Sequence, residues 1–226
     1  MNVELMQHTS LAVTAHAIRT CWQSFDNSDE GGEKDLALID RVGNKFKHAS
    51  TLEHLNYTFY LSGISRALLQ ELARHRMASL SVKSTRYTLK ELKEETQSFT
   101  NGMSMLELKE KYTNASEVYD DVHMIRASKY LVFTNVLAVD FASVVALENL
   151  RLILQDAIAN DMAKFCLPES YKTELTWTIN ARSLQNFISL RTSKSALWEI
   201  RNLANMVYQA LPSEHQYLFE SCVNEE

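Results

Sequence analysis

Residues 55–76 read LNYTFYLSGISRALLQELARHR, and the hydrophobic period changes partway along. From Leu55 to Leu61 the pattern alternates. Leu55, Tyr57, Phe59 and Leu61 fall on one face, and Asn56, Thr58 and Tyr60 on the other, as in a half-buried strand. Gly63 is expected to end that strand. From Ser65 to Arg76 the spacing becomes helical, with Leu68 and Leu72 toward the core and Glu71 and Arg74 sharing a face. A strand feeding directly into a helix places the chain in a mixed class.

Working outward, residues 1–8 read as a short leading strand. Ser10 sits at an N-cap before Leu11, Ala15, Ile18 and Trp22 at helical spacing. Residues 26–35, DNSDEGGEKD, are polar and turn-rich and read as a surface connection. Leu36, Ile39, Val42 and Phe46 mark a second helix, ending in KHASTLEH (47–54). Downstream, 79–88 is too rich in Ser, Thr and Val for a helix, and an extended chain would put Ser84 and Arg86 on one side. Residues 90–114 suggest one short helix and a loop. From 115 to 165 nearly everything suits a helix, with breaks near Asn135 and Asn160. VVALENLRLILQDAI (144–158) is apolar enough to be central. Pro168 stops that run. Leu175, Trp177 and Ile179 alternate with threonines as another strand, and Asn180 opens a helix through Leu184, Phe187 and Ile188 to Arg191. Further helices are expected from Ser195 to Leu211 and after Pro212.

The 226 residues carry a net charge of -5, with only five Gly and two Pro. One domain spanning 1–226, with few loops and long helices, is the expectation. The acidic balance argues against a dedicated nucleic-acid binder. Three cysteines, Cys21, Cys166 and Cys222, stand far apart in no CxxC pairing, which points to buried thiols in a reducing compartment. MNVELMQHTS lacks the pattern of a signal peptide, and no apolar run approaches a membrane span, so a cytoplasmic protein is expected.

Three clusters bear chemistry. RHRMASLSVKSTRY (74–87) concentrates cations and hydroxyls with no acidic residue, although the chain is acidic. An isolated RHR would read as cations decorating a helix C-terminus. Hydroxyls and Arg86 within ten residues favour an anionic, phosphorylated ligand instead. KHASTLEH brings His48, Ser50, Glu53 and His54 together, but the spacing matches no HExxH arrangement, so no metal is expected. In TINARSLQNFISLRTSKSALWEI (178–200), Asn180, Arg182 and Asn186 surround a helix start suited to a ring or a phosphate, or else form a plain polar face. No GxGxxG or GxxxxGK[ST] cradle exists. Ser84 has no evident His–Asp partners, which leaves a hydrolase triad without support.

Together these segments resemble the flavin-dependent thymidylate synthases. That family's signature is RHR, seven variable residues, then Ser; here Ser84 follows Arg76 after seven. HASTLEH upstream, AKFCLPE (163–169) and NARSLQNF…LR…ALWEI downstream match in the same order, so the resemblance covers about residues 45–205. It implies an α/β fold of the α+β type, with a small antiparallel sheet flanked by long helices, assembled as a homotetramer with active sites between subunits. The implied reaction converts dUMP to dTMP, with methylenetetrahydrofolate supplying the carbon and NADPH-reduced FAD the hydride.

By the same resemblance, Ser50, Arg74, His75, Arg76, Asn180, Arg182 and Asn186 touch FAD. Glu71, Arg74, Ser84, Thr85, Arg86, Lys164 and Arg191 hold dUMP, and Arg191 is the catalytic residue that favours ionisation of uracil N3. Ser81 and Val82 stand where the family commonly has Asn and Glu, Glu71 where Gln is frequent, and Lys164 where Arg is common. A nucleotide-binding module without flavin and an RNA-binding protein are the rival classes.

Overall fold

The computed structural model describes residues 1–112 and 115–224 of the chain. It is an α+β protein with one small antiparallel sheet and several helices. Strands β1 (Asn2–His8), β2 (Asn56–Ser65), β3 (Ala78–Val82) and β4 (Lys172–Asn180) follow the order β1-β2-β4-β3. Two compact units are distinguished. The first comprises 1–62, 70–81 and 175–226, the second 63–69 and 82–174.

In the first unit, β1 pairs antiparallel with β2, and its register slips between Leu5 and Gln7. One extra residue in an edge strand accommodates such a slip. The alternation read from β2 holds: Leu55, Tyr57, Phe59 and Leu61 are fully buried. In β4 Leu175, Trp177 and Ile179 are buried likewise. On the opposite face the Thr58 and Thr178 hydroxyls lie 3.0 Å apart, linking the two strands. Gly63 does not end β2, which continues to Ser65. Its φ of +67° is a left-handed conformation that glycine adopts without a Cβ penalty, so the strand passes through it.

Phe59 lies against Trp177 at 5.9 Å between ring centroids, and Trp177 meets Phe187 edge-on at 5.0 Å. Phe187 belongs to the Ala181–Arg191 helix, whose Ala181, Leu184, Phe187 and Ile188 form its buried face.

Ser10 caps the Leu11–Trp22 helix by accepting the Ala12 N–H. Trp22, however, lies beyond the buried stripe and is 62% exposed. The 26–35 segment is more than a surface connection, because Asp35 is buried beneath it. The Asp35 carboxylate accepts from Arg19 Nε (2.9 Å), Ser28 Oγ (2.8 Å) and the Gly31 N–H (3.0 Å). Burial pushes this carboxyl up, but the Arg19, Ser28 and Gly31 donors outweigh it and hold the group below its ordinary value. The second helix is Glu33–Ile39, extended by a wider turn over Asp40–Lys45, so Phe46 leaves the helical stripe and is exposed.

The Arg66–Leu72 helix stops four residues before Arg76. Arg74 N–H bonds back to Glu71 O and His75 N–H to Leu72 O, a tight turn that places RHR between helix and strand. The last helices, Trp198–Gln209 and Ser213–Gln216, begin after a turn at 193–196 and after Pro212.

In the second unit the Leu137–Gln155 helix is central, as its apolarity predicted. Phe141, Val144, Leu147, Leu150 and Leu154 are buried in a core with Phe99, Tyr130 and Tyr171. Leu152 on the same helix is 46% exposed, and Val145 and Ile153 only pack at the margin. Two buried acids are fully occupied. Asp140 accepts from Tyr119 Oη (2.6 Å) and from Thr134 N and Oγ1 (2.8 and 2.9 Å). Glu148 pairs with Arg151 (2.7 Å) and takes the Phe99 N–H (3.0 Å).

The expected long helices are fewer than the scarcity of Gly and Pro suggested. Side-chain caps divide the chain instead: Ser104 closes a capping box on Met105–Lys111, and Asp121 caps Val122–Ser128. The 90–114 region therefore holds two helices, Lys90–Glu94 and Met105–Lys111, with 113–114 outside the described residues.

His215 is buried beside Tyr57, with Nδ1 2.9 Å from the phenol and the His8 ring edge-on at 4.8 Å. Burial, helped by His8 and opposed by Glu214, pushes its pKa from 6.5 down to about 4. The unfolded chain therefore binds a proton near pH 6.5 that the folded chain refuses until about pH 4. Stability should be full above pH 6.5 and fall, on the order of 1–3 kcal/mol from this group, as pH drops toward 4. Urea midpoints measured at pH 7.5 and pH 5 should show the loss, and His215→Gln should remove part of it; an unchanged pH dependence in that variant would contradict the assignment.

Candidate functional site

The first unit contains a cavity of about 880 Å³ whose lining draws on three separated stretches. The Ala181–Arg191 helix supplies most of it. Asn180, the last residue of β4, accepts the Ser183 N–H at 2.9 Å, and Ala181 N–H is taken by Leu55 O, so the strand turns directly into the helix. With Leu184, Phe187 and Ile188 committed to the core, helical spacing brings Arg182, Asn186 and Leu190 to the opposite face, which lines the cavity.

The RHR turn forms a second wall. Arg74, His75 and Arg76 all line the cavity, together with Arg191. Arg191 is held from three atoms: Nε donates to His75 Nε2 (3.0 Å), Nη1 to Glu71 Oε2 (2.9 Å) and Nη2 to Glu71 O (3.3 Å). Glu71 also faces Arg74 at 3.5 Å. The Arg191 bond requires His75 to accept at Nε2, so the proton of the neutral ring sits on Nδ1. Burial, then Arg191 and Arg74, push the His75 pKa from 6.5 to about 4, against the pull of Glu71, so the ring is neutral at pH 7. Phe187 supports the ring edge-on at 5.0 Å.

The lining is strongly cationic. Four arginines face one carboxylate, Glu53, which pairs with Arg182 at 2.7 Å. Arg76 has no ion-pair partner among the described residues. The positive end of the Ala181–Arg191 helix adds to this field. Together with the Asn180 and Asn186 amides, the site suits an anionic ligand with a hydrogen-bonding ring. Its volume lies within the roughly 300–1,000 Å³ of ordinary small-molecule sites. Among the described residues no group of three or more His, Cys, Asp or Glu side chains is placed to hold a metal.

Of the residues expected at FAD, Arg74, His75, Arg76, Asn180, Arg182 and Asn186 converge here. Ser50 is exposed on the Ala49–His54 turn of helix and does not line the cavity, whereas Glu53 from the same turn does. Among the residues expected at dUMP, Glu71, Arg74 and Arg191 belong to this unit.

The second unit holds Ser84, Thr85, Arg86 and Lys164. The extended reading of 79–88 holds only for β3. Ser84 occupies the N-cap of a Thr85–Thr88 turn of helix, so Ser84 and Arg86 are not paired on one side of an extended chain. Asn160 Nδ2 fixes this turn by donating to Arg86 O at 2.9 Å. Thr85 and Lys164 line a second cavity of about 390 Å³.

Glu53, Met77, Ser183, Leu190, Ser195 and Ala196 line the cavity and were not among the residues expected at either ligand. Ser183 and Leu190 follow from helical spacing around Asn186 and were legible. Ser195 and Ala196 come from a turn whose approach no local pattern announces.

Comparison with known proteins gives concordant results. The family model described as thymidylate synthase complementing protein matches residues 4–215. A flavin-dependent thymidylate synthase of Wolinella succinogenes is 65% identical over 226 residues, covering all of both chains. That of Campylobacter jejuni (strain RM1221) is 62% identical, covering 100% of this chain and 99% of the relative. A crystal structure of the flavin-dependent thymidylate synthase of Helicobacter pylori with FAD and dUMP superposes with a TM-score of 0.87. It is 52% identical and covers 99% of this chain and 100% of that one.

The His75 geometry can be checked by NMR. Its imidazole should titrate near pH 4, and Arg191→Met, which removes a neighbouring cation, should move the midpoint upward toward 6.5. A wild-type midpoint near 6.5 would show that the ring is not held as described.

Proposed function

The chain belongs to the flavin-dependent thymidylate synthase family, and from that premise we infer that it is an enzyme forming dTMP by reductive methylation of dUMP, with FAD as cofactor. The observation that carries this reading is the arginine-rich cavity in which the RHR turn and the Asn180–Arg191 segment meet. Methylenetetrahydrofolate is the carbon donor and NADPH the reductant of the flavin. The chain acts as one catalytic domain, in the cytoplasm. No helix among the described residues is long and apolar enough to cross a membrane.

Arg74, His75, Arg76, Asn180, Arg182 and Asn186 hold FAD, and Ser50, which stands outside the cavity lining, is assigned to it by family resemblance alone. The fit rests on charge and donors. A diphosphate finds Arg76, which lacks a carboxylate partner among the described residues, and a helix N-terminus; a polar ring finds two amides and a neutral His75 with a proton on Nδ1. When bound, the flavin supplies the hydride.

Glu71, Arg74, Ser84, Thr85, Arg86, Lys164 and Arg191 hold dUMP. Arg191 donates three of its five N–H groups to His75 and Glu71, leaving two for the pyrimidine. Its charge stabilises negative charge on N3 and O4 and makes the ring reactive. Glu71 anchors Arg191 in the geometry that role requires.

The working form is a homotetramer with active sites between subunits. Large apolar side chains left exposed in the second unit, among them Val136, Leu152, Met162 and Phe165, support a covered face.

The purified protein should be yellow, and its oxidised-flavin absorbance should bleach with NADPH and recover when dUMP and methylenetetrahydrofolate are added. A colourless protein that takes up no FAD would sink the reading, leaving a nucleotide-binding module without flavin. Arg191→Ala should abolish turnover, at least 100-fold, while flavin stays bound; retained turnover would remove Arg191 from the chemistry.

A further inference from the structure

Two side chains hold the Arg191 guanidinium, and they differ in charge. His75 accepts from Nε at 3.0 Å and is neutral at pH 7, so it directs the fork without opposing its field. Glu71 accepts from Nη1 at 2.9 Å through its carboxylate, and its backbone oxygen takes Nη2 at 3.3 Å. The carboxylate therefore does two things at once. It fixes the arginine and it offsets the positive charge.

That offset falls mainly on Arg191. Glu71 also faces Arg74, but at 3.5 Å, and the Arg74 side chain is 73% exposed against 15% for Arg191. Water screens the longer, exposed pair, whereas the shorter and more buried one keeps more of its field. The remaining charges on the cavity are Arg76, Arg182 and Glu53, and Glu53 is paired to Arg182 at 2.7 Å.

We propose that Glu71 is a positioning residue whose charge also moderates Arg191, so that it sets how readily bound uracil loses its N3 proton. This rests on the reading in which Arg191 faces the pyrimidine, and deepens it. An uncompensated guanidinium beside N3 favours the anion strongly. The same guanidinium in contact with a carboxylate presents a weaker field, and the ring stays protonated to a higher pH. Glutamine accepts the same Nη1 bond through its amide oxygen and lacks the negative charge, so Glu71→Gln separates the two effects.

The test reads ionisation directly, on full-length, FAD-loaded, oxidised protein with no reductant or folate, so that nothing turns over. The probe is 5-fluoro-dUMP, whose fluorine resonance shifts as N3 ionises. In Glu71→Gln the midpoint of the bound nucleotide should lie about one pH unit below that in wild type. Arg191→Ala should raise it above the wild-type value. Glu71→Asp keeps the charge but draws it back by one methylene; it should give a smaller downward shift and carries the test where Glu71→Gln does not fold. An unchanged or raised midpoint in Glu71→Gln, with Arg191→Ala still shifting it, would leave Glu71 an anchor only and overturn the proposal. A midpoint indifferent to Arg191→Ala, or protein that binds FAD but no 5-fluoro-dUMP, would overturn the underlying reading and this assignment with it.

Discussion

The first unit depends on one continuous line of aromatic packing. It begins at Tyr57, which holds His215, passes through Phe59, Trp177 and Phe187, and ends on the His75 ring. Each member from Tyr57 to Phe187 occupies an inward position dictated by the two-residue period of β2 and β4 or by the buried stripe of the Ala181–Arg191 helix. The line matters because its last member is not a core residue. His75 belongs to the cavity wall, so the core sets where the ring stands, and the ring sets where Arg191 stands. Close-packed interiors transmit displacement poorly damped, and each ring here has only its neighbours to yield to. The hydrophobic pattern and the chemical site are therefore one construction.

The electrostatics divide along a simple rule. Charges that serve the fold are paired out of water: Arg19 with Asp35 and Arg151 with Glu148. Charges that line the cavities are underpaired. Arg76 and Arg66 have no ion pair among the described residues, and Arg182 meets Glu53 where both remain half exposed. Arg191 is intermediate, fixed by Glu71 and His75 yet with donors to spare. A net acidic chain thus keeps its positive field local.

The sequence was most legible where period and chemistry agreed. Alternation in β2 and β4, the Ser10 and Asn180 caps, and the apolar run of the central helix all followed from one-dimensional patterns. RHR and Asn180–Arg191 carried the candidate binding residues, and the structure brings them onto one cavity. The failures have physical causes. Gly63 read as a terminator because glycine's freedom ends strands and equally lets them bend. The helix before RHR read four residues too long because its polar end has no breaker. Residues 26–35 read as surface because nothing local says that Asp35 meets Arg19. The placement of Ser84 and Arg86 failed because extended propensity gave way to a capped turn.

The division of the chain has a consequence in time. The first unit is discontinuous: its three pieces, 1–62, 70–81 and 175–226, bracket the second. A growing chain therefore finishes the second unit while the first still lacks β4 and the helix bearing Arg191. Until that last piece emerges, β2 has no partner for its aromatic face, and the RHR turn has nothing to close against. Bringing Arg191 to His75 spans 116 residues, a loop closure that local contacts cannot offset beforehand. The cavity is consequently completed only by the last piece of chain to be synthesised. A ligand that fits it draws only on chains that have folded to completion, and by mass action it holds them there.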